Sequence, residues 1–266
     1  MATREVTMPQ PSSLDEFTES INLLAYGDPG AGKTALAGTI GEEGLIIALE
    51  PGTISAKRLG SKAQQVRCKT YAEFAMILNA LRRGTYLNPN TGKRFKWIAI
   101  DTLTELQQMM IRHIMEQAHK GNPKRSATLP DMPGHQEWQQ TMKRVVHALA
   151  DLPENVLFLC HAMKEEDEEG ETYVLPDIAG KNGTNDPTTM SRYVCGIVHS
   201  YGYLKKKNDK TEVRIWIFRP GVHIRAKDRY GVLVPRVEEP NIEAITALIE
   251  SGVVAPQPQP KEESED

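Results

Sequence analysis

Gly27-Asp28-Pro29-Gly30-Ala31-Gly32-Lys33-Thr34 follows an apolar segment, Ile21-Asn22-Leu23-Leu24-Ala25-Tyr26, and opens a run of good helix formers, Ala35-Leu36-Ala37. The order is strand, glycine-rich turn, helix, and the spacing is G-x-x-x-x-G-K-[ST]. Glycine reaches positive φ without a Cβ penalty, so successive backbone N–H groups can turn inward as a nest for an anion. The first turn of the following helix adds partial positive charge. Lys33 is placed to reach β- and γ-phosphates, and the Thr34 hydroxyl is suited to ligate Mg2+. Residues Gly27, Asp28, Pro29, Gly30, Ala31, Gly32, Lys33, Thr34 and Ala35 are therefore expected to cradle a nucleoside triphosphate. ATP and Mg2+ are the ligands this chemistry implies.

Outward from that loop, apolar runs alternate with helical periodicity. Leu45–Leu49, Phe95–Asp101 and Val156–Cys160 are short and continuously apolar, as parallel strands buried on both faces are. Val66-Arg67-Cys68 reads as a further strand. Tyr71–Arg83, the stretch holding Leu106, Met109, Met110 and Ile114, about Gln136–Ala150, and residues 241–250 read as helices. Val194–Tyr203, Val213–Phe218 and Val222–Val234 read as antiparallel strands, joined by turns such as Asn208-Asp209-Lys210. The expected fold is α/β: a mostly parallel central sheet flanked by helices, extended by C-terminal antiparallel strands. Residues 1–20 read as a lead-in, 21–252 as one domain, and 253–266 as an acidic tail disordered by composition.

The chain has 266 residues, enough for one large α/β domain, with ordinary apolar (39%) and charged (25%) content. Cys68, Cys160 and Cys195 lie far apart, which argues against a zinc site or a disulfide frame. With no apolar segment long enough to span a bilayer and no leader-like start, a cytoplasmic protein is expected, in a bacterial or phage-infected cell. The net charge of −3 looks wrong for a nucleic-acid partner, but its distribution matters more than its sum. In the tail Lys261 faces Glu262, Glu263, Glu265 and Asp266, which accounts for the whole of it. Glu165, Glu166, Asp167, Glu168, Glu169 and Glu171 concentrate further negative charge in one loop, so the remainder is net cationic.

Ligands of open α/β sheets sit at the carboxyl ends of the strands, so the polar residues ending apolar runs carry the chemistry. Asp101 closes one run as a Walker B carboxylate would, placed to hold Mg2+; it would serve equally as an N-cap for the helix beginning near Thr102. The following residue is Thr102, so a hydrolytic glutamate beside Walker B, usual in the AAA+ class, is absent. Glu50 ends the run after the P-loop helix and is the candidate base, against the alternative of a surface glutamate before a Pro-Gly turn. His161 ends another run, where a neutral imidazole could sense a γ-phosphate or be merely structural.

Lys227-Asp228-Arg229-Tyr230-Gly231 is, on its own, a charged turn. Yet the order of P-loop, Glu50, Asp101, His161, a long loop and then this run resembles the RecA-like ATPase core. It is similar in particular to the phage single-strand-annealing ATPases built on a minimal RecA-like core, and the run resembles the Lys-Asn-Arg-Phe-Gly signature of RadA-type relatives. The resemblance spans about residues 20–235 and departs at Asp228, where RadA types have Asn. It implies that Glu50 is the hydrolytic base, His161 the switch residue, and Lys227 and Arg229 cations acting on a neighbouring subunit's ATP. It also implies DNA-facing loops near 120–134 and 164–189. The partners that follow are single-stranded DNA, further copies of the chain in a ring or filament, and a single-strand-binding protein, with no membrane. The function implied is ATP-dependent annealing or strand exchange. A RadA- or DnaB-like translocase is an alternative, as is a DNA-binding assembly protein that uses ATP only as a switch. A small-molecule kinase would need an Arg-rich lid, and none is legible.

Overall fold

The computed structural model describes residues 20–166, 170–178, 189–207, 212–221 and 223–252. Its strands are β1 (Asn22–Gly27), β2 (Gly44–Ala48), β3 (Gln64–Arg67), β4 (Trp97–Asp101), β5 (Asn155–Glu166), β6 (Thr172–Pro176), β7 (Ser200–Lys206), β8 (Arg214–Ile217), β9 (Lys227–Asp228) and β10 (Arg236–Glu238). The helices are α1 (Lys33–Ala37), α2 (Ile54–Arg58), α3 (Tyr71–Arg83), α4 (Leu103–Gly121), α5 (Met132–Ala150), α6 (Thr189–Ile197) and α7 (Ile242–Ser251). Strand order is β10-β8-β7-β1-β5-β4-β2-β3, with β6 on β5 and β9 on β7. From β7 to β3 every pairing is parallel. The partners of β8 and β9 are antiparallel. This is the expected α/β architecture with its antiparallel extension.

The continuous apolar runs follow from a sheet covered on both faces. Side chains alternate along a strand, so Leu24, Tyr26, Leu45, Ile47, Ile98, Ile100, Val156 and Phe158 share one core with α3, α4 and α5. Leu23, Ala25, Ile46, Trp97, Ala99, Leu157 and Leu159 share the other with α1 and α7. Each fully buried aliphatic or aromatic side chain of this kind contributes about 1.5–3 kcal/mol. Helix starts are written locally. Thr70 and Glu73 form a capping box on α3, Thr102 accepts from the Glu105 N–H on α4, and Asp131 accepts from the Gly134 N–H on α5. Gly84 ends α3 with φ 69°, a conformation that disfavours any side chain.

Four segments differ from the sequence reading. Val194–Tyr203 is not one strand, because α6 runs to Ile197 and β7 starts at Ser200, parallel to β1. Met190 and Val194, four residues apart, face the core, and the Tyr and Val content of this helix imitates a strand. Within Val222–Val234 only Lys227–Asp228 pairs as a named strand, and the next strand lies beyond it at Arg236–Glu238. Helix α5 begins at Met132, inside what reads as loop, since Asp131 supplies its cap. The stretch from Lys164 is not simply a loop: β5 continues to Glu166 and pairs antiparallel with β6, Ala162 opposite Pro176. The acids Asp167, Glu168 and Glu169, the Asn208-Asp209-Lys210 turn, residues 1–19 of the lead-in and the tail 253–266 lie outside the described residues. Among the described residues no helix is long and apolar enough to cross a membrane.

Candidate functional site

Strand β1 delivers its carboxyl end, Gly27, to the centre of the sheet. A Cβ there would collide with the Leu204 carbonyl oxygen on neighbouring β7, so the position admits only glycine. Gly30 and Gly32 follow with φ of 82° and 95°, the conformations an inward-facing ring of N–H groups requires. Lys33 is buried and its ammonium donates to the carbonyls of Gly27 (2.8 Å) and Asp28 (3.1 Å), which holds the side chain across the loop mouth. Burial holds its pKa below the ordinary lysine value, opposed by nearby negative groups that include Asp101 and Glu50. The Asp28 carboxylate accepts from the Tyr203 hydroxyl at 2.9 Å, fastening the loop to β7.

Beside the loop, the Thr34 hydroxyl donates to Asp101 Oδ2 at 2.8 Å. Asp101 is buried, and burial raises its carboxyl pKa, with the Thr34 hydroxyl opposing and Glu50 reinforcing the shift. A divalent cation would reverse that logic by rewarding the ionised form. The Thr34–Asp101 pair therefore fits Mg2+, which would neutralise charge on phosphate oxygens when bound.

Glu50 lies two residues beyond β2 and completes the group. Its Oε1 accepts from the Thr102 hydroxyl and from His161 Nε2, the latter at 3.2 Å. The His161 hydrogen bond is the largest cause holding Glu50 below the usual carboxylate range; burial opposes it and the Thr102 hydroxyl adds to it. His161 is fixed at its backbone, whose N–H donates to Thr104 Oγ1 at 3.0 Å. Its buried Nδ1 has no hydrogen-bond partner among the described residues. Pro29, Gly30, Gly32, Lys33, Thr34, Ala35, Glu50, Asp101, Thr102 and His161 together line one cleft of about 770 Å3. A space of that size and chemistry accommodates a nucleoside triphosphate.

The structure does not bring Lys227 and Arg229 into this cleft. Strand β9 pairs with the start of β7, at Ser200 and Tyr201, away from the loop at the carboxyl end of β1. Lys227 Nζ donates to the Cys195 carbonyl and Arg229 Nη2 to the Gly196 carbonyl at 2.8 Å, both in the last turn of α6. Cations there satisfy carbonyls that the helix leaves unpaired. The two residues line a separate cavity of about 480 Å3 with Arg192, Arg225, Tyr173 and Tyr201. Burial first, and Arg229 second, lower the Lys227 pKa to about 8.

Of the two loops implied to face DNA, residues 120–134 carry Leu129 and Met132, both 73% exposed. The Arg125 guanidinium there is already engaged by Asp131 at 2.8 and 2.6 Å. Among the lining residues to which the sequence assigns no site role are Thr102, Arg58, Lys206 and Arg214. Thr102 was within reach, being adjacent to Asp101. Lys206 and Arg214 were not, because only the pairing of β7 with β8 carries them to the loop.

The family model described as an AAA domain matches residues 19–230. The chain belongs to the AAA domain family. The match to this family runs from β1 to Tyr230 and so takes in the P-loop, Glu50, Asp101, His161, Lys227 and Arg229. It makes the protein an AAA-type P-loop NTPase and supports nucleotide hydrolysis as its activity. No curated protein matches the chain. Within this AAA domain, Thr102 follows Asp101, and its hydroxyl bonds the Glu50 carboxylate, which comes from just beyond β2.

Proposed function

We propose that this AAA-domain protein is an ATPase in which Glu50 orients the attacking water, with hydrolysis coupled to single-stranded DNA in an oligomer. The observation that carries the catalytic part is the Glu50 carboxylate, tethered to Thr102 and His161 in the same cleft as Lys33 and the Thr34–Asp101 pair. A carboxylate kept ionised by two hydrogen-bond donors is a fixed acceptor for a water proton, and positioning is most of what phosphoryl transfer asks of a protein. Lys33 and the P-loop N–H groups would hold the phosphates, and Thr34 with Asp101 would hold Mg2+. His161 bonds Glu50 through Nε2 while its Nδ1 has no partner among the described residues, which suits a residue that reports phosphate occupancy to β5 and the hairpin beyond it.

The DNA part rests on the resemblance to RecA-like annealing ATPases. The oligomer part is supported by the separate cavity where Arg192, Arg225, Lys227 and Arg229 gather, a positive surface suited to a neighbouring chain's triphosphate. Annealing or strand exchange is the favoured process, with translocation or nucleotide-switched assembly as the alternatives.

The test is steady-state phosphate release with and without single-stranded DNA, across a salt titration, for the wild type and Glu50→Gln. Wild-type turnover should rise with DNA at low salt and lose that stimulation as salt increases. Glu50→Gln should cut kcat by about 10²–10⁴-fold while still binding ATP. Unchanged turnover in Glu50→Gln removes Glu50 from the mechanism. Absence of any DNA effect at low salt removes DNA from the function.

A further inference from the structure

Of the cations around the cleft, Arg214 is the one set against the P-loop itself. A Cβ on Gly32 would collide with its Nε and Cδ, so the guanidinium stem lies directly over the glycine that precedes Lys33. Lys206 is paired with Glu212 at 2.9 Å, and Arg58 stands exposed on α2. In the sheet, β8 and β7 flank β1 on one side, whereas β5, β4 and β2, which bring His161, Asp101 and Glu50, flank it on the other. Arg214 therefore approaches the loop from the side away from the hydrolytic group.

Its neighbour Glu239 fixes it there. The Glu239 N–H donates to the Arg214 carbonyl at 2.8 Å, and Glu239 Oε1 accepts from the Arg214 N–H at 3.0 Å. Glu239 Oε2 stands 3.8 Å from Arg214 Nη1, an ionic contact beyond hydrogen-bond distance that attracts the guanidinium and engages none of its donors. Glu239 does this at φ 45°, the left-handed region that disfavours side chains. Backbone held in that region beside an arginine that lines the cleft is an observation from which function is inferred.

We propose that Arg214 is an intramolecular phosphate-binding residue, contacting the non-transferred α- and β-phosphates of the nucleotide, and that Glu239 is its positioning residue. The inference rests on the nucleotide-binding reading of the same cleft. It differs from the trans-acting role expected of Lys227 and Arg229, because it makes affinity a property of the single chain. A guanidinium that contacts groups unchanged during the reaction stabilises ground and transition states alike, so its loss falls on KM more than on kcat.

The experiment titrates fluorescently labelled ADP and ATP with Mg2+ into the full chain and its variants. Arg214→Ala should weaken both ligands roughly tenfold, the scale of one partly exposed charge-assisted contact. Arg214→Lys should recover part of the loss. Glu239→Gln should weaken binding less, and the double variant should be no worse than Arg214→Ala alone, as one shared contact requires. KM should rise with these losses. Lys33→Ala separates the two levels of the argument. If Lys33→Ala abolishes binding while Arg214→Ala binds within about twofold of wild type, Arg214 is excluded and the site stands. If Lys33→Ala binds like wild type, the nucleotide site itself is wrong and the Arg214 role falls with it. A fall in kcat with unchanged affinity overturns the ground-state role. Should Arg214→Ala fail to fold, Arg214→Lys and Glu239→Gln decide by the same two readouts.

Discussion

Glu50 is held ionised by one donor just past the end of β4 and another from the middle of β5, and that makes a pH prediction. Its folded pKa is depressed, with the His161 bond the largest cause and the Thr102 hydroxyl a lesser one. A depressed carboxyl contributes stability above its unfolded pKa and loses it as pH falls through the folded value. With Glu50 as the proposed base, the same ionisation would gate catalysis, so the acid limb of kcat/KM should move to higher pH in Thr102→Val. Thr102→Ser keeps both the donor to Glu50 and the N-cap of α4, and should restore the wild-type profile. An acid limb that stays put in Thr102→Val would falsify the tether. Glu50 and Asp101 were legible because a buried strand announces its end by its first polar residue, and open sheets collect ligands there. His161 was legible as the first polar residue after the buried part of β5, although the strand does not end there but runs on to Glu166. Thr102 was passed over because it was weighed only as the absence of a glutamate. Arg214 was out of reach because its relation to Gly32 is set by hairpin register, not by spacing along the chain.

At the scale of elements, α6 and β9 show where local sequence misleads. Helix α6 carries Tyr193 and Val194, residue types that favour strands, and packing of Met190 and Val194 into the core decides for helix. Its last carbonyls then need partners, and Lys227 and Arg229 provide them. The cost is a partly desolvated lysine, lowered to about 8. A lysine whose folded pKa is lowered binds fewer protons than the unfolded chain between that value and the ordinary one, so its term in stability rises with pH across that window. Buried Cys195 and half-buried Tyr201, each raised to about 12, act with the opposite sign, so the difference between variants is the quantity to read. Urea unfolding of wild type and Lys227→Met at pH 7.5 and 9.5 should show the wild type gaining on the variant, by about 1 kcal/mol after discounting for exposure. Equal pH dependence of the two would mean the ammonium is fully solvated.

For the whole molecule, the two-faced sheet was readable in advance because every central strand must be apolar on both sides, whichever helices cover it. How copies of the chain meet is not written in that pattern. The cleft holds Lys33, Glu50, Asp101 and His161 from one chain, while Lys227 and Arg229 line a different cavity and cap α6. Two roles are thus open to Arg229, and mixing variants tells them apart. Lys33→Ala lacks the phosphate grip but keeps Arg229, and Arg229→Ala keeps the grip but lacks the cation. If Arg229 completes a neighbour's site, each variant alone should hydrolyse ATP poorly. An equimolar mixture under DNA-stimulated conditions should then recover about a quarter of wild-type turnover, because half the sites have an intact loop and half of those meet an intact neighbour in a cyclic or helical assembly. If Arg229 serves only α6, Arg229→Ala should be less stable but turn over normally per folded chain, and the mixture should do no better than the average of its parts. Turnover per chain that is independent of protein concentration in the wild type, together with that second outcome, would place the complete reaction within one chain.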